Sequence, residues 1–597
     1  MRERLGAIAN FDWRPNEDLR VYVNTIYNEF TDEEGRDQLD YSMDRGDVTF
    51  PSPNEITYER GRASREFRQN NQTQKLYNVS PGVDWRFDRY ELNLNYTYAH
   101  AEEHTPLRDD IEFRSGSRYV STVQLGDALP TFSNMDLDLF DADTFPLRRI
   151  RLRRETIDED LHAVKGDLTI DFTNTTDSFF KVGAKFTDRS KERDNFQEQW
   201  EPAGEAITFA DTSGVLGNIS GFYDGRYNFG PAMDYAGIMN FFYNQNPDFL
   251  ELDVDKTGFN DRASDYEISE QIAAAYGMVS MDLGALNVIG GLRVEQTSGD
   301  YDAFAIRDTD GNGDVEVSDI APLSFEQDYT HVLPSLALNY RPTEELVLRA
   351  AWTNTIGRPN YVDIVPTFEE EDGDGEAGNP DLDPYESMGL DVSAEYYPDA
   401  DTVLAVAAFY KSIDNPIFTR TIENTSFAGV DLLSLSQPQN ASSGELFGIE
   451  ANAIIPLNIL SDTLDGFGVS TNITYVDSNV DVPGRESDDL PFFRQSKWLA
   501  GGALFYEQGP LEARFAVNYR DDYLTGVGSN SDGDSYSKAR TVLDARLAYR
   551  ILDGVELFGS VSNLDKEPLS RYQGHSSRLT GQEEYGMNFD FGISAKF

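Results

Sequence analysis

Residues Glu584–Phe597 read EYGMNFDFGISAKF. Tyr585, Met587, Phe589, Phe591, Ile593, Ala595 and Phe597 alternate with Glu584, Gly586, Asn588, Asp590, Gly592, Ser594 and Lys596. Strict period two over a whole segment is the pattern of a β-strand, whose successive side chains point to opposite faces. One face is apolar with aromatic ends; the other is small or charged. At roughly 3.3 Å per residue such a strand runs about 45 Å. Tilted by about 45°, it crosses a bilayer. Strands of soluble domains are usually about 5–6 residues.

Working back along the chain, the same alternation recurs. It is found in Leu5–Trp13, Tyr90–His100, Ile268–Leu283, Leu286–Gly299, Asp328–Tyr340, Ser387–Tyr397, Thr402–Ile413 and Leu511–Asp521, among others. About nineteen strands are predicted in all. Short connections carry turn residues, as in Arg14-Pro15-Asn16-Glu17, Asp88-Arg89, Thr173–Asp177, Pro398–Asp401 and Asp553-Gly554. They alternate with long connections near 31–57, 101–160, 194–267, 300–327, 357–386, 414–444, 479–495, 522–540 and 563–583. Short turns at one end and long loops at the other belong to an outer-membrane barrel; a sandwich or propeller has no reason to sort its loops. The fold class is therefore all-β, a large antiparallel transmembrane β-barrel. An amphipathic terminal strand ending in Phe resembles the last strand of bacterial outer-membrane barrels.

Composition agrees. No run of about 18 apolar residues exists, so no helical membrane span is expected. The 31 tyrosines and 37 phenylalanines suit strands and aromatic girdles. The absence of cysteine removes disulfides, thiolate metal sites and thiol nucleophiles. The formal charge of −55 argues against nucleic acid as a partner, which needs a basic surface. It favours a strongly hydrated exterior or one bridged by divalent cations. Met1–Trp13, MRERLGAIANFDW, lacks an apolar signal-peptide core. Because a protein of this class must be exported, the chain is expected to be a fragment or a mature portion.

Several stretches are similar to one family. Tyr329–Ser335 (YTHVLPS), Thr355–Pro359 with Asp363–Pro366, Gly378–Ser387 (GNPDLDPYES), Ala408–Ile413 (AFYKSI), Gly448-Ile449-Glu450 and Asn563–Pro568 resemble, in order and spacing, motifs of the TonB-dependent outer-membrane receptors. The N-terminal half resembles the family in style rather than motif. The resemblance implies energy-coupled, substrate-gated import through a 22-stranded barrel. Nineteen strands plus three further N-terminal ones would meet that number. Residues 1–597 are read as one barrel portion. The plug domain and TonB box of the family are found nowhere in the chain, so contact with the TonB system is expected only through additional N-terminal sequence.

Candidate sites lie in the long connections. Asp308, Asp310, Asn312, Asp314, Glu316 and Asp319 follow the ligand spacing of a calcium loop, with Gly313 at its sixth position; the alternative is a solvated acidic turn. The carboxylate runs Glu369–Glu376 and Asn530–Asp534 lack such a code and read as solvated. Tyr223, Arg226, Tyr227, Phe241, Phe242 and Tyr243 combine rings with polar neighbours suited to a sugar or an aromatic chelator; equally, they could form a small core packed over the barrel mouth. Arg148–Arg154 (RRIRLRR) is the one basic cluster. It could meet an anionic substrate or lipopolysaccharide phosphates, but pairing with Glu155, Asp158 and Glu159 is favoured. Catalysis finds no support: His100, His104, His162, His331 and His575 lack metal-ligand spacing, and no nucleophile or phosphate-loop motif occurs.

The sequence thus predicts the barrel of an outer-membrane receptor that takes up a scarce nutrient of siderophore or oligosaccharide class, with no cofactor other than a calcium ion in one loop. Its surroundings would be outer-membrane lipid and lipopolysaccharide. A passive pore and a soluble calcium-dependent adhesin are the alternatives.

Overall fold

A computed structural model describes the chain except residues 43–47, 53–54, 125–128, 134–135, 173–177, 222–226, 307–316, 372 and 597. Among the described residues, nineteen long strands form the wall. The first nine are β1 (Arg2–Trp13), β2 (Leu19–Ser42), β3 (Glu55–Phe87), β4 (Tyr90–Arg114), β5 (Leu147–Asp171), β6 (Phe179–Pro202), β7 (Tyr266–Leu283), β8 (Leu286–Ile306) and β9 (Ile320–Tyr340). The others are β10 (Leu346–Gly357), β11 (Tyr385–Tyr396), β12 (Val403–Asp414), β13 (Ser443–Pro456), β14 (Phe467–Val480), β15 (Trp498–Gln508), β16 (Leu511–Arg520), β17 (Arg540–Leu552), β18 (Val555–Ser562) and β19 (Asn588–Ala595). Each pairs antiparallel with the next, as in the unbroken register of β2 on β3 from Leu19↔Trp85 to Ser42↔Arg62. Among the described residues β1 pairs only with β2, and β19 only with β18. No described helix is long and apolar enough to cross a membrane.

Alternation separates a lipid face from a lumenal face. Leu94, Val164, Phe186, Leu292, Val294, Val332 and Leu336 point outward and stay exposed, because lipid rather than protein covers them. On β5 the outward apolar positions stop at Val164; above it come His162, Asp160 and Asp158. A bilayer crossing needs only about 9–11 residues, so the upper halves of β2–β9 stand clear of the membrane. At the other end the turns are tight. Asp88 adopts a left-handed φ of 55° between β3 and β4, and Gly554 a φ of 79° between β17 and β18.

Two expectations need correction. The strand predicted over 584–597 is laddered only from Asn588 to Ala595. Its partner β18 offers just eight residues before Asn563 turns away at φ 57°; Phe597 and the Thr173–Asp177 turn lie outside the described residues. The long connections near 31–57 and 101–160 are mostly strand, since β2 runs to Ser42, β4 to Arg114, and β5 starts at Leu147. Above the membrane both faces of a strand are wet or loop-covered, so hydrophobic alternation fades while the ladder continues.

The remaining loops fold on themselves. Phe368–Glu371, Asp374–Ala377, Ile417–Phe427 and Val430–Asn440 form one four-stranded sheet; Tyr523–Gly526, Ser535–Ser537, Leu569–Gln573 and Leu579–Glu583 form another. A core of Phe113, Phe145, Ile150, Phe209, Ile238 and Phe242 packs the 115–146 and 203–250 loops onto β3–β6.

Candidate functional site

β5 opens with Leu147-Arg148-Arg149-Ile150-Arg151-Leu152-Arg153-Arg154. Strand alternation sends Ile150 and Leu152 into the loop core and Arg149, Arg151 and Arg153 to the lumen. A β-bulge between Thr105 and Arg108 inserts an extra residue into β4. Such an insertion re-aims the residues beyond it, and here it brings Arg108, Asp110 and Glu112 to the same lumenal face. Arg149 Nε lies 2.9 Å from Glu112 Oε2, and Arg114 lies 2.7 Å from its other oxygen. Asp110 accepts from Arg68, and Arg153 Nε reaches it only at 4.0 Å. Burial would raise the Asp110 carboxyl, but the Arg68 hydrogen bond and the Arg151 and Arg153 charges hold it below the usual carboxylate range. Burial, then the neighbouring Arg151 charge, pushes the Arg153 guanidinium down to about 10.

β6 supplies the opposite wall. Arg193 donates two hydrogen bonds to Glu155 Oε2, at 2.9 and 2.6 Å. Above Arg193 the ladder with β7 ends at Tyr266, leaving strand N–H groups that need acceptors. The helix Val254–Arg262 and the residues after it provide them. Asp265 accepts from the Asn195 amide at 2.8 Å, Asp261 from Gln197 at 3.3 Å, and the Thr257 hydroxyl from Gln199 at 3.0 Å. Lys256 of the same helix pairs with Glu370 at 3.2 Å. Together these elements enclose a cavity of about 300 Å³ at the lumenal mouth. Its described lining carries seven basic and four acidic side chains. In a chain with 105 acids against 50 bases, this local reversal gives the cavity lining a basic character.

Arg154 takes Asp109 at 2.8 Å rather than its neighbour Glu155. Glu155 serves Arg193, Glu159 serves Arg189 and Lys191, and Asp158 lies beside His100. The predicted pairing with adjacent acids is thus replaced by cross-strand pairs, because neighbours along a strand point to opposite faces. The alternating arginines were visible in the sequence; the bulge that assembles their partners was not.

The aromatic candidates are placed mainly in the loop core. Phe242 is fully buried, with Phe241 and Tyr243 packed against the same cluster. The ring of Phe242 therefore offers no stacking face. The Tyr227 hydroxyl donates to the Pro130 carbonyl; Tyr223 and Arg226 lie outside the described residues. Of the calcium-loop residues, Asp308, Asp310, Asn312, Asp314 and Glu316 also lie outside them, while Asp319 is buried in the turn Val317–Asp319. The acidic runs are more ordered than expected. Asp534 is 1% exposed and accepts from both terminal nitrogens of Arg485, at 2.9 and 3.0 Å, and Glu369–Glu371 form a strand. Among the described residues no group of His, Asp and Glu could hold a metal.

Below the cavity, the Arg358–Pro366 stretch folds into the lumen. Arg358 donates to Glu295 at 2.9 Å and Thr297 at 2.8 Å, and Tyr361 donates to Glu270 at 2.9 Å. Ile364 and Val365 pack on Tyr301 and Ile268.

Among known proteins, the chain resembles an iron-regulated outer membrane virulence protein of Vibrio cholerae serotype O1, at 24% identity over 215 residues. That stretch is 34% of this chain and 31% of the relative, so the match spans under a third of the relative's length. Two solved structures share the fold. The ferric citrate transporter FecA in its unliganded form has a TM-score of 0.52 and 11% identity, covering 99% of this chain and 76% of that one. The ferric-catecholate import receptor Fiu from E. coli K12 has a TM-score of 0.52 and 12% identity, covering 100% and 81%. The family model described as TonB dependent receptor-like, beta-barrel matches residues 8–564. The chain therefore belongs to the TonB-dependent receptor family of the Gram-negative outer membrane, as its β-barrel.

Proposed function

We propose that this chain forms the membrane wall and extracellular mouth of an uptake receptor whose cargo is an anionic metal chelate of siderophore class, captured in the arginine cavity. The observation that carries the reading is Arg153. It is a largely buried guanidinium whose Asp110 contact is a distant one, in a cavity richer in bases than the rest of the chain. A carboxylate- or catecholate-bearing chelate supplies the paired oxygens that guanidinium groups bind bidentately. The relatives named for iron regulation, ferric citrate and ferric catecholate point to the same class. An oligosaccharide cargo would draw on stacking rings, and burial of Phe242 weakens that alternative. Coupling to a TonB system is part of the proposal, as is calcium binding by the Asp308–Asp319 spacing.

Titration of the detergent-purified protein with ferric citrate and with a ferric catecholate tests the cargo. Arg153→Gln is expected to weaken binding about tenfold, the scale of one charge-assisted contact. Wild-type affinity in that variant would remove the cavity from the mechanism. Steady conductance of the wild-type protein in a planar bilayer would favour a passive pore instead.

A further inference from the structure

We propose that Glu369 sets the charge selectivity of the arginine cavity: its carboxylate is a tethered counter-charge that weakens the hold of the cavity's arginines on an incoming anion, and does so more strongly the higher that anion's charge. The inference deepens the anion-capture reading and rests on it.

Glu369 is delivered to the cavity by a fixed arm. The hairpin of Phe368–Glu371 and Asp374–Ala377 is pinned on both sides of it. Phe368 is 1% exposed, its ring 5.4 Å from that of Phe427, and Glu370 holds Lys256. Asp374 accepts from the Ser434 hydroxyl at 2.7 Å, and Asp374–Glu376 ladder in parallel on Ser434–Ser436. Between these anchors the Glu369 side chain lines the cavity, exposed, with no hydrogen bond or ion pair among the described residues. Its charge nevertheless acts on both Arg153 and Arg193. Arg193 is already committed to Glu155 by two hydrogen bonds. Among the described residues Arg153 has only its 4.0 Å approach to Asp110, which also serves Arg68.

A carboxylate held near a guanidinium without bonding to it lowers the attraction felt by a second anion. A single-charge ligand meets one increment of that opposition. A polyanion gains bidentate contacts from Arg153 and its neighbours, but each of its charges is opposed by the same carboxylate. The arm therefore tempers the preference of the cavity for higher charge.

Calorimetric titration of the detergent-purified full chain, at one fixed ionic strength, uses acetate, citrate and pyrophosphate as probes. Wild type is expected to bind citrate and pyrophosphate well above acetate. Glu369→Gln is expected to strengthen acetate binding about fivefold, the effect of one partly screened charge, and citrate binding by more, so that the citrate-to-acetate ratio widens. Glu369→Asp keeps the charge and the wild-type ratio. Glu344→Gln, in the exposed turn between β9 and β10, removes the same charge far from the cavity and changes nothing. If wild type binds citrate and Glu369→Gln leaves the ratio untouched, the selectivity role is refuted while anion capture stands. If neither polyanion binds wild type or variant, the anion-capture reading itself falls, and this inference with it.

Discussion

Replacing Arg65 by methionine should detach the 115–146 and 203–250 loops from the wall while leaving the barrel intact. Arg65 is 0% exposed. Its guanidinium donates to three loop carbonyls: Pro231 at 3.0 Å, Leu139 at 2.7 Å and Phe229 at 2.7 Å. It also sits between the Phe145 and Phe229 rings, 5.0 and 5.2 Å from their centroids. A hydrogen bond to a charged group contributes roughly 1.5–3 kcal/mol, and each buried carbonyl left without a donor costs about 1–3 kcal/mol. Methionine fills much of the volume but donates nothing. Three such bonds amount to about 4.5–9 kcal/mol, a large share of the roughly 5–15 kcal/mol margin of a folded unit. Amide hydrogen exchange is the assay: the protection of residues 129–146 and 203–221 should fall sharply, with β7–β9 unchanged. Arg65→Lys keeps the charge but loses the fork, and should fall between the two. Wild-type protection in Arg65→Met would refute the argument that one guanidinium ties both loops down.

Asp37 should make the same loops pH-sensitive. It accepts from the Met233 amide at 2.7 Å, and burial pushes its carboxyl up to about 6. A carboxyl raised in the folded state favours the packed loops when protonated. The contribution of Asp37 to their stability is therefore full below about pH 4 and is lost as pH rises through 6. Asp37→Asn, which keeps the acceptor, should flatten that profile in hydrogen exchange; an unchanged profile would contradict it. Asp534→Ala should free the loops at 481–497 and 521–539 from each other. It strips Arg485, 5% exposed, of its bidentate partner, a loss of about 3 kcal/mol, at the lower end for breaking a buried pair because the Gly528 carbonyl still accepts from Arg485. Faster protease cleavage there, with unaltered barrel unfolding, is the expected result, and equal cleavage rates would count against it.

The wall was legible in the sequence because the membrane enforces it. Each crossing must alternate lipid-facing and lumenal side chains, and each must satisfy its backbone with a neighbour. Period two alone therefore located segments such as Tyr90–His100 and Leu511–Asp521 and the tight turns at Asp88 and Gly554. Above the membrane that constraint lapses. β4 runs on from His100 to Arg114 through charged residues whose ladder partners are far away in sequence, and no local pattern marks them. The cavity belongs to this second regime. Arg149, Arg151 and Arg153 alternate visibly, but a bulge at 105–108, a helix capping the β6 edge and a hairpin bearing Glu369 are what close a pocket around them. Their acids come from β4 and from loops, from 37 to more than 200 residues away. Sequence determined the barrel because alternation is a local consequence of strand geometry; only the tertiary structure decided the site, because charge pairing is set by distance in space.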